Sequence, residues 1–211
     1  YNYYFDYTGQ EVTNFFHPDG TRVVNYPGDR VLQTMQRRWL NHVKGVFYLG
    51  DNHILSAGIE HQHDYLKSPY RLKQGKASVY TLASYAQDEW SITNRLNLTL
   101  GYRFVHHKEF GQKFTPKISA KYSLGDFNLR ATYSYGFKAP TLKELYQNYI
   151  TVIMGPLKAY YGNENLKPQS SNYGSASVEY SNGKFQATVT GYYNRIHNMI
   201  ALTVVPTSSE D

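Results

Sequence analysis

Cysteine is absent from all 211 residues. That removes any disulfide framework, any thiolate metal centre and any cysteine nucleophile. Methionine is scarce, with 3 residues, and charged residues make up only 18%. A soluble helical enzyme carries more charge and more Leu and Ala. No stretch approaches the ~20 apolar residues that a membrane-spanning helix needs, so a helical membrane protein is excluded. A membrane barrel survives that test. Its strands alternate, and its mean hydropathy, here −0.59, stays low. The formal net charge of +6 is dispersed without a Lys/Arg block, so nucleic-acid binding is not expected. Gly-x-Ser-x-Gly, a phosphate-binding glycine loop and His-Glu-x-x-His are all missing. Asp88, Glu89 and Glu179 sit beside short turns, where solvated interface charge explains them better than an acid–base pair. The chain reads as a non-enzyme, with no catalytic residue, no cofactor and no protein-bound metal assigned.

What is abundant is tyrosine, 22 in all, set in alternating runs. From Phe127 the odd positions are Phe127, Leu129, Ala131, Tyr133, Tyr135 and Phe137, against Asn128, Arg130, Thr132, Ser134 and Gly136. Leu96 to Phe104 and Phe185 to Tyr193 repeat the pattern. Period two with one apolar face means strands of a half-buried sheet. About nine are expected: 1–8, 37–49, 53–66, 77–92, 95–107, 115–123, 127–137, 172–181 and 184–196. Short turns at 50–52, 93–94, 124–126 and 181–183 carry the Asn, Asp and Gly that tight hairpins favour. The opposite strand ends are joined by longer segments at 8–36, 67–76, 108–114 and 138–171. Short turns at one end and long loops at the other is the asymmetry of an outer-membrane barrel. Aromatics ring both ends: Phe47, Tyr48, Trp90, Tyr122 and Tyr180 by the short turns, and Tyr102, Phe104, Tyr135 and Phe137 by the loops. Membrane strands show this at their two interfaces, whereas a soluble sandwich has no reason to. The chain starts at Tyr1 and ends in a polar tail, and is expected to be a piece of a longer protein.

Two boxes organise the longest loop. Phe137-Lys138-Ala139-Pro140 closes a strand, and Asn163-Glu164-Asn165-Leu166-Lys167-Pro168 precedes the next. Between them Thr141 and Glu144 have capping-box spacing, and Leu142, Leu145, Tyr146 and Tyr149 share one helical face. The paired boxes resemble those of TonB-dependent outer-membrane receptors, of the haem, cobalamin and siderophore type. The resemblance implies an all-β fold, a barrel of about 22 strands of which this chain is an arc of the wall, with the plug and remaining strands absent. It implies a transporter in the outer membrane of a Gram-negative bacterium that binds a metal chelate. Its partners would be its own plug, the TonB complex acting through an absent N-terminal part, outer-membrane lipid and a surface lipoprotein. Long loops at 8–36 and 138–171 would face outward.

Haem receptors of the family carry an iron-ligating histidine between the boxes, and residues 141–162 contain none. Cobalamin or a related corrinoid is therefore expected first, haem second and a ferric siderophore close behind. Tyr146, Tyr149, Tyr160, Tyr161 and Met154 are candidates to cover a macrocycle by stacking, with Lys138 to meet an anionic group. Loop packing is the plain alternative for all of them. Among the histidines, parity sends His61, His63 and His106 to the apolar side and His107 to the lumen, which makes His107 the better single candidate. A soluble or surface-exposed tyrosine-rich β-protein that binds glycan or a protein partner remains the contrasting reading.

Overall fold

Alternation lets each strand present one apolar and one polar face, and each tight turn sends the chain back antiparallel. The computed structural model describes residues 2–6, 13–16, 22–152 and 157–203. In chain order its elements are β1 (Asn2–Asp6), β2 (Thr13–Phe16), β3 (Arg22–Asn25), β4 (Arg30–Leu49), β5 (His53–Lys67), β6 (Lys76–Ser91), β7 (Leu96–His107), β8 (Gly111–Leu124), β9 (Phe127–Lys138), α1 (Leu142–Tyr146), β10 (Asn148–Val152), β11 (Leu157–Tyr161), β12 (Gln169–Ser181) and β13 (Gln186–His197). A 9-stranded sheet runs β1-β4-β5-β6-β7-β8-β9-β12-β13, and β2–β3 and β10–β11 form separate two-stranded hairpins. All neighbours in the large sheet are antiparallel.

The nine strands of the sheet are the nine expected, with several boundaries moved. β4 begins at Arg30 rather than 37, because β1 pairs with its first residues before β5 joins at Met35. The supposed long loop at 108–114 is a correction: β7 and β8 pair up to His107↔Gly111, leaving residues 108–110 as the connection. Gly111 takes a φ of +66°, a conformation that reverses the chain tightly. Pro116 lies within β8, and the β8–β9 ladder stops beside it at Lys117↔Ser134. Proline has no N–H to give, so it marks where β8 parts from β9. At the short-turn end, Thr93 Oγ1 accepts from the N–H groups of Arg95 and Leu96 at 3.2 and 3.0 Å. Asn182 Oδ1 does the same for Lys184 and Phe185, at 3.1 and 2.9 Å. These side chains mimic a backbone turn, which is why Thr and Asn occupy those positions.

Register turns the alternation into two continuous faces. Leu100, Ile118, Tyr133, Gly174 and Tyr193 stand opposite one another across five strands, and Leu98, Ala120, Ala131, Ala176 and Gly191 form the next row. The row between them on the other face is Thr99, Ser119, Thr132, Ser175 and Tyr192. That face carries polar pairs: Ser119 Oγ to Thr132 Oγ1 at 2.8 Å, Arg103 to Glu60 at 2.7 Å and Arg38 to Asp64 at 2.6 Å. On the apolar face Leu100, Ile118 and Tyr133 are each over 40% exposed. Among the described residues the other sheets have only two strands each, so none of them forms the second large sheet that a sandwich would require. An uncovered apolar face of this extent belongs against lipid. The buried cluster of Leu66, Leu72, Val79 and Leu142 lies instead at the long-loop end of the polar side.

Arginine at Leu100 is expected to cost about 2–4 kcal/mol near the bilayer midplane in the whole receptor, and arginine at Thr99 far less. Folding titrations into bilayers check this, and equal tolerance at the two positions would contradict the facing.

Candidate ligand-binding site

β9 and β12 pair as far as Lys138↔Gln169, so the segment between them leaves and returns at adjacent strands. Pro140 ends the pairing, and Thr141 starts α1. Thr141 Oγ1 accepts from the Glu144 N–H at 3.3 Å, while Glu144 Oε2 accepts from the Thr141 N–H at 2.6 Å, the capping box expected from the spacing. Such a cap stabilises a helix start by about 1 kcal/mol. Leu142 and Leu145 are buried, and α1 packs against β6, three strands from its own β9. Leu72, 2% exposed, comes up from the β5–β6 connection to meet it. Two backbone bonds then join the loops: Lys73 N–H to Tyr146 O at 3.2 Å and Asn148 N–H to Arg71 O at 2.7 Å.

The second box closes on α1, the helix that follows the first box. Gly162 N–H donates to Gln147 O at 2.7 Å, and Asn163 N–H to Glu144 O at 2.9 Å. Asn163 Oδ1 accepts from Asn165 N–H at 2.9 Å, shaping the following turn. A Cβ at Gly162 would lie 2.6 Å from the Leu145 carbonyl oxygen and 2.9 Å from the Gln147 nitrogen. Only glycine permits that approach. The loop is thus closed between the start of the second box and the end of α1.

On this base stands the β10–β11 hairpin, with Tyr149 opposite Tyr160. Their rings stack at 5.1 Å with 11° between planes, and the Arg71 guanidinium lies 5.2 Å from the Tyr149 centroid. Arg71 is the residue that sequence reasoning missed. It lies in the 67–76 connection, and only a contact across 78 positions with Tyr149 reveals its role. Tyr161 is 67% exposed, next to the stack. Tyr146 is engaged with the buried cluster. Burial, then Glu109 and Glu164 nearby, push its phenol above the usual tyrosine range, so it remains a neutral hydroxyl donor. Lys138 lies 3.8 Å from Glu144 Oε1, tied to the helix cap. His107 does point to the lumenal side but is covered, at 5% exposed. Its ring lies 5.0 Å from that of Phe110, and its Nδ1 accepts from the Glu109 N–H at 3.2 Å. The expected set therefore divides: Tyr149 and Tyr160 come together with Tyr161 at hand, Tyr146 and Lys138 lie in the base, and His107 is covered beside Phe110. His61, His63 and His106 lie on the apolar face by register. Met154 and His17 lie outside the described residues. Among the described residues no three His, Asp or Glu side chains gather as a metal site.

The comparisons with known proteins agree with this architecture. The family model described as TonB dependent receptor-like, beta-barrel matches residues 1–211. The iron-regulated outer membrane virulence protein of Vibrio cholerae is 30% identical over 159 residues, covering 73% of this chain and 24% of the relative. The ferric enterobactin receptor PirA of Pseudomonas aeruginosa is 27% identical over 175 residues, 70% of this chain and 24% of PirA. The vitamin B12 transporter BtuB of Vibrio cholerae is 31% identical over 104 residues, 49% of this chain and 15% of BtuB. In fold, the crystal structure of the siderophore receptor PirA from Pseudomonas aeruginosa matches with a TM-score of 0.75 at 24% identity, over 86% of this chain and 36% of that one. The chain spans about a quarter of the length, 24%, of the first of these relatives. Its place is the outer membrane of a Gram-negative bacterium. With the model matched end to end, the chain belongs to the TonB-dependent receptor family, as part of its β-barrel.

Proposed function

We propose that the chain forms part of the wall and ligand-binding mouth of an active receptor that imports a ferric siderophore of the enterobactin kind. The observation that carries this reading is the Arg71–Tyr149–Tyr160 stack at the long-loop end. Aromatic faces beside a guanidinium complement an anionic chelate with planar groups. The relatives named for iron regulation or ferric enterobactin cover 70–73% of the chain, which supports moving the siderophore ahead of the corrinoid and haem expected before it. A corrinoid stays as the second reading, favoured by the likeness to BtuB over 49% of the chain. The plug and the TonB complex are the partners this reading requires, and the loop end faces outside the cell.

Alanine at both Tyr149 and Tyr160 should weaken binding about 10–100-fold, which corresponds to about 1.4–2.8 kcal/mol. Alanine at both His61 and His63 should leave affinity unchanged. The measurement is titration of the whole receptor with a ferric siderophore, cobalamin and haemin in parallel. Binding of haemin alone, lost with the histidine pair, would overturn the proposal. Gly162→Ala should loosen the loop base and raise the protease sensitivity of the β10–β11 hairpin without unfolding the barrel. An epitope inserted after Tyr149 should be labelled on intact cells, and one at Asn182 only after permeabilisation; the reverse would invert the orientation.

A further inference from the structure

The outward face changes character at the long-loop end of β4–β6. Lower down it is apolar: Phe47 stands opposite Leu55, and Val43 opposite Ile59. Further up, the rows become Trp39–His63–Tyr80, Arg37–Tyr65–Ser78 and Met35–Lys67–Lys76. A shallow pocket of about 460 Å³ opens there, lined by Met35, Arg37, Trp39, His63, Tyr65 and Lys67. Of the carboxylates on these strands, Glu60 and Asp64 are on the opposite face and already paired, with Arg103 and Arg38, while Asp88 and Glu89 lie at the short-turn end, Asp88 bonded to His53. Among the described residues Arg37, Lys67 and Lys76 take part in no ion pair. Three basic side chains therefore share one outward patch; the lining of its pocket includes no carboxylate, and Asp29 lines the adjoining cleft on the far side of Lys67.

Height decides what such a patch meets. Leu49 lies at the inner turn, and from there to Arg37 a strand rising ~3.3 Å per residue and tilted ~45° climbs about 28 Å. The apolar band of an outer-membrane barrel is about 25 Å tall. Arg37, Lys67 and Lys76 thus emerge at head-group level, with Trp39 and Tyr65 placed where amphipathic rings prefer to sit. A guanidinium and two ammonium groups over an aromatic pocket suit a phosphate attached to an acyl-bearing body.

We propose that this outward pocket binds the phosphorylated head group of an outer-leaflet lipid. The assignment rests on the outward orientation of the long-loop end given above and is independent of which chelate is imported. The test uses the whole receptor in detergent, with bisphosphorylated lipid A as the probe and native mass spectrometry as the readout. The triple variant Arg37→Gln, Lys67→Gln, Lys76→Gln should bind it at least tenfold more weakly. The charge-keeping Arg37→Lys, Lys67→Arg pair should retain binding, as should Lys113→Gln, Lys117→Gln, Lys121→Gln on the lumenal side. Dephosphorylated lipid A should bind the wild type as weakly as lipid A binds the triple variant. Unchanged binding by the triple variant, an equal loss from the lumenal set, or displacement by millimolar inorganic phosphate would each overturn the lipid site. A Gln74→Cys receptor, labelled on intact cells, separates the two levels. Labelling without a lipid effect overturns the pocket alone, and failure to label overturns the orientation and the pocket together.

Discussion

Every backbone N–H and C=O that meets hydrocarbon must find a partner within the protein, because lipid supplies none and each orphan costs several kcal/mol. The rest of this chain follows from that constraint. It dictates strands of 12 to 20 residues, from β4 through β9 and in β12 and β13, rather than short sandwich strands. It dictates antiparallel neighbours in sequence order, since a meander leaves no strand to cross the bilayer without a ladder. It also explains why irregular backbone is confined to the ends. The described residues between Pro140 and Pro168 are tied down by a cap, a hairpin and bonds to the β5–β6 connection.

The two faces of the sheet use different physics. Outside, apolar side chains gain from contact with acyl chains. Inside, charge is balanced locally, as in Arg38–Asp64, Arg103–Glu60 and the His42 Nε2 contact with Tyr85 Oη at 2.6 Å. The Arg38 side chain is 66% exposed, so its pair contributes of the order of 0–1 kcal/mol. These lumenal pairs set polarity and register more than stability. The only sizeable buried apolar cluster among the described residues holds the loops, where no lipid is available to cover them.

What could be read from the sequence was whatever is local. Leu96 to Phe104 declares a strand by its own alternation, and Thr141 with Glu144 declares a helix start by spacing alone. The lumenal side of His107 followed from counting along one strand. Its concealment did not, because Phe110 covers it from a turn that the sequence left inside a supposed long loop. Nor did the sequence show that β8 runs on to Gly111 along β7 after its ladder toward β9 has stopped at Lys117. The assembly of the candidate site was hidden for a different reason. Leu72 and Leu142, or Arg71 and Tyr149, are 70 and 78 positions apart, and no local pattern encodes such a meeting.

The crossing of α1 from β9 to β6 has a mechanical consequence. A loop fastened only to its own two strands would swing freely above the wall, but this one is moored at both ends of a chord. Its roots are in β9 and β12, and its far side is held by Leu72, Arg71 and Lys73 beyond β6. A chord across an arc resists splaying of the strands beneath it. Pressure on the tyrosine hairpin is therefore shared among strands β5 to β12, and the mouth yields as one stiff span rather than as a separate flap.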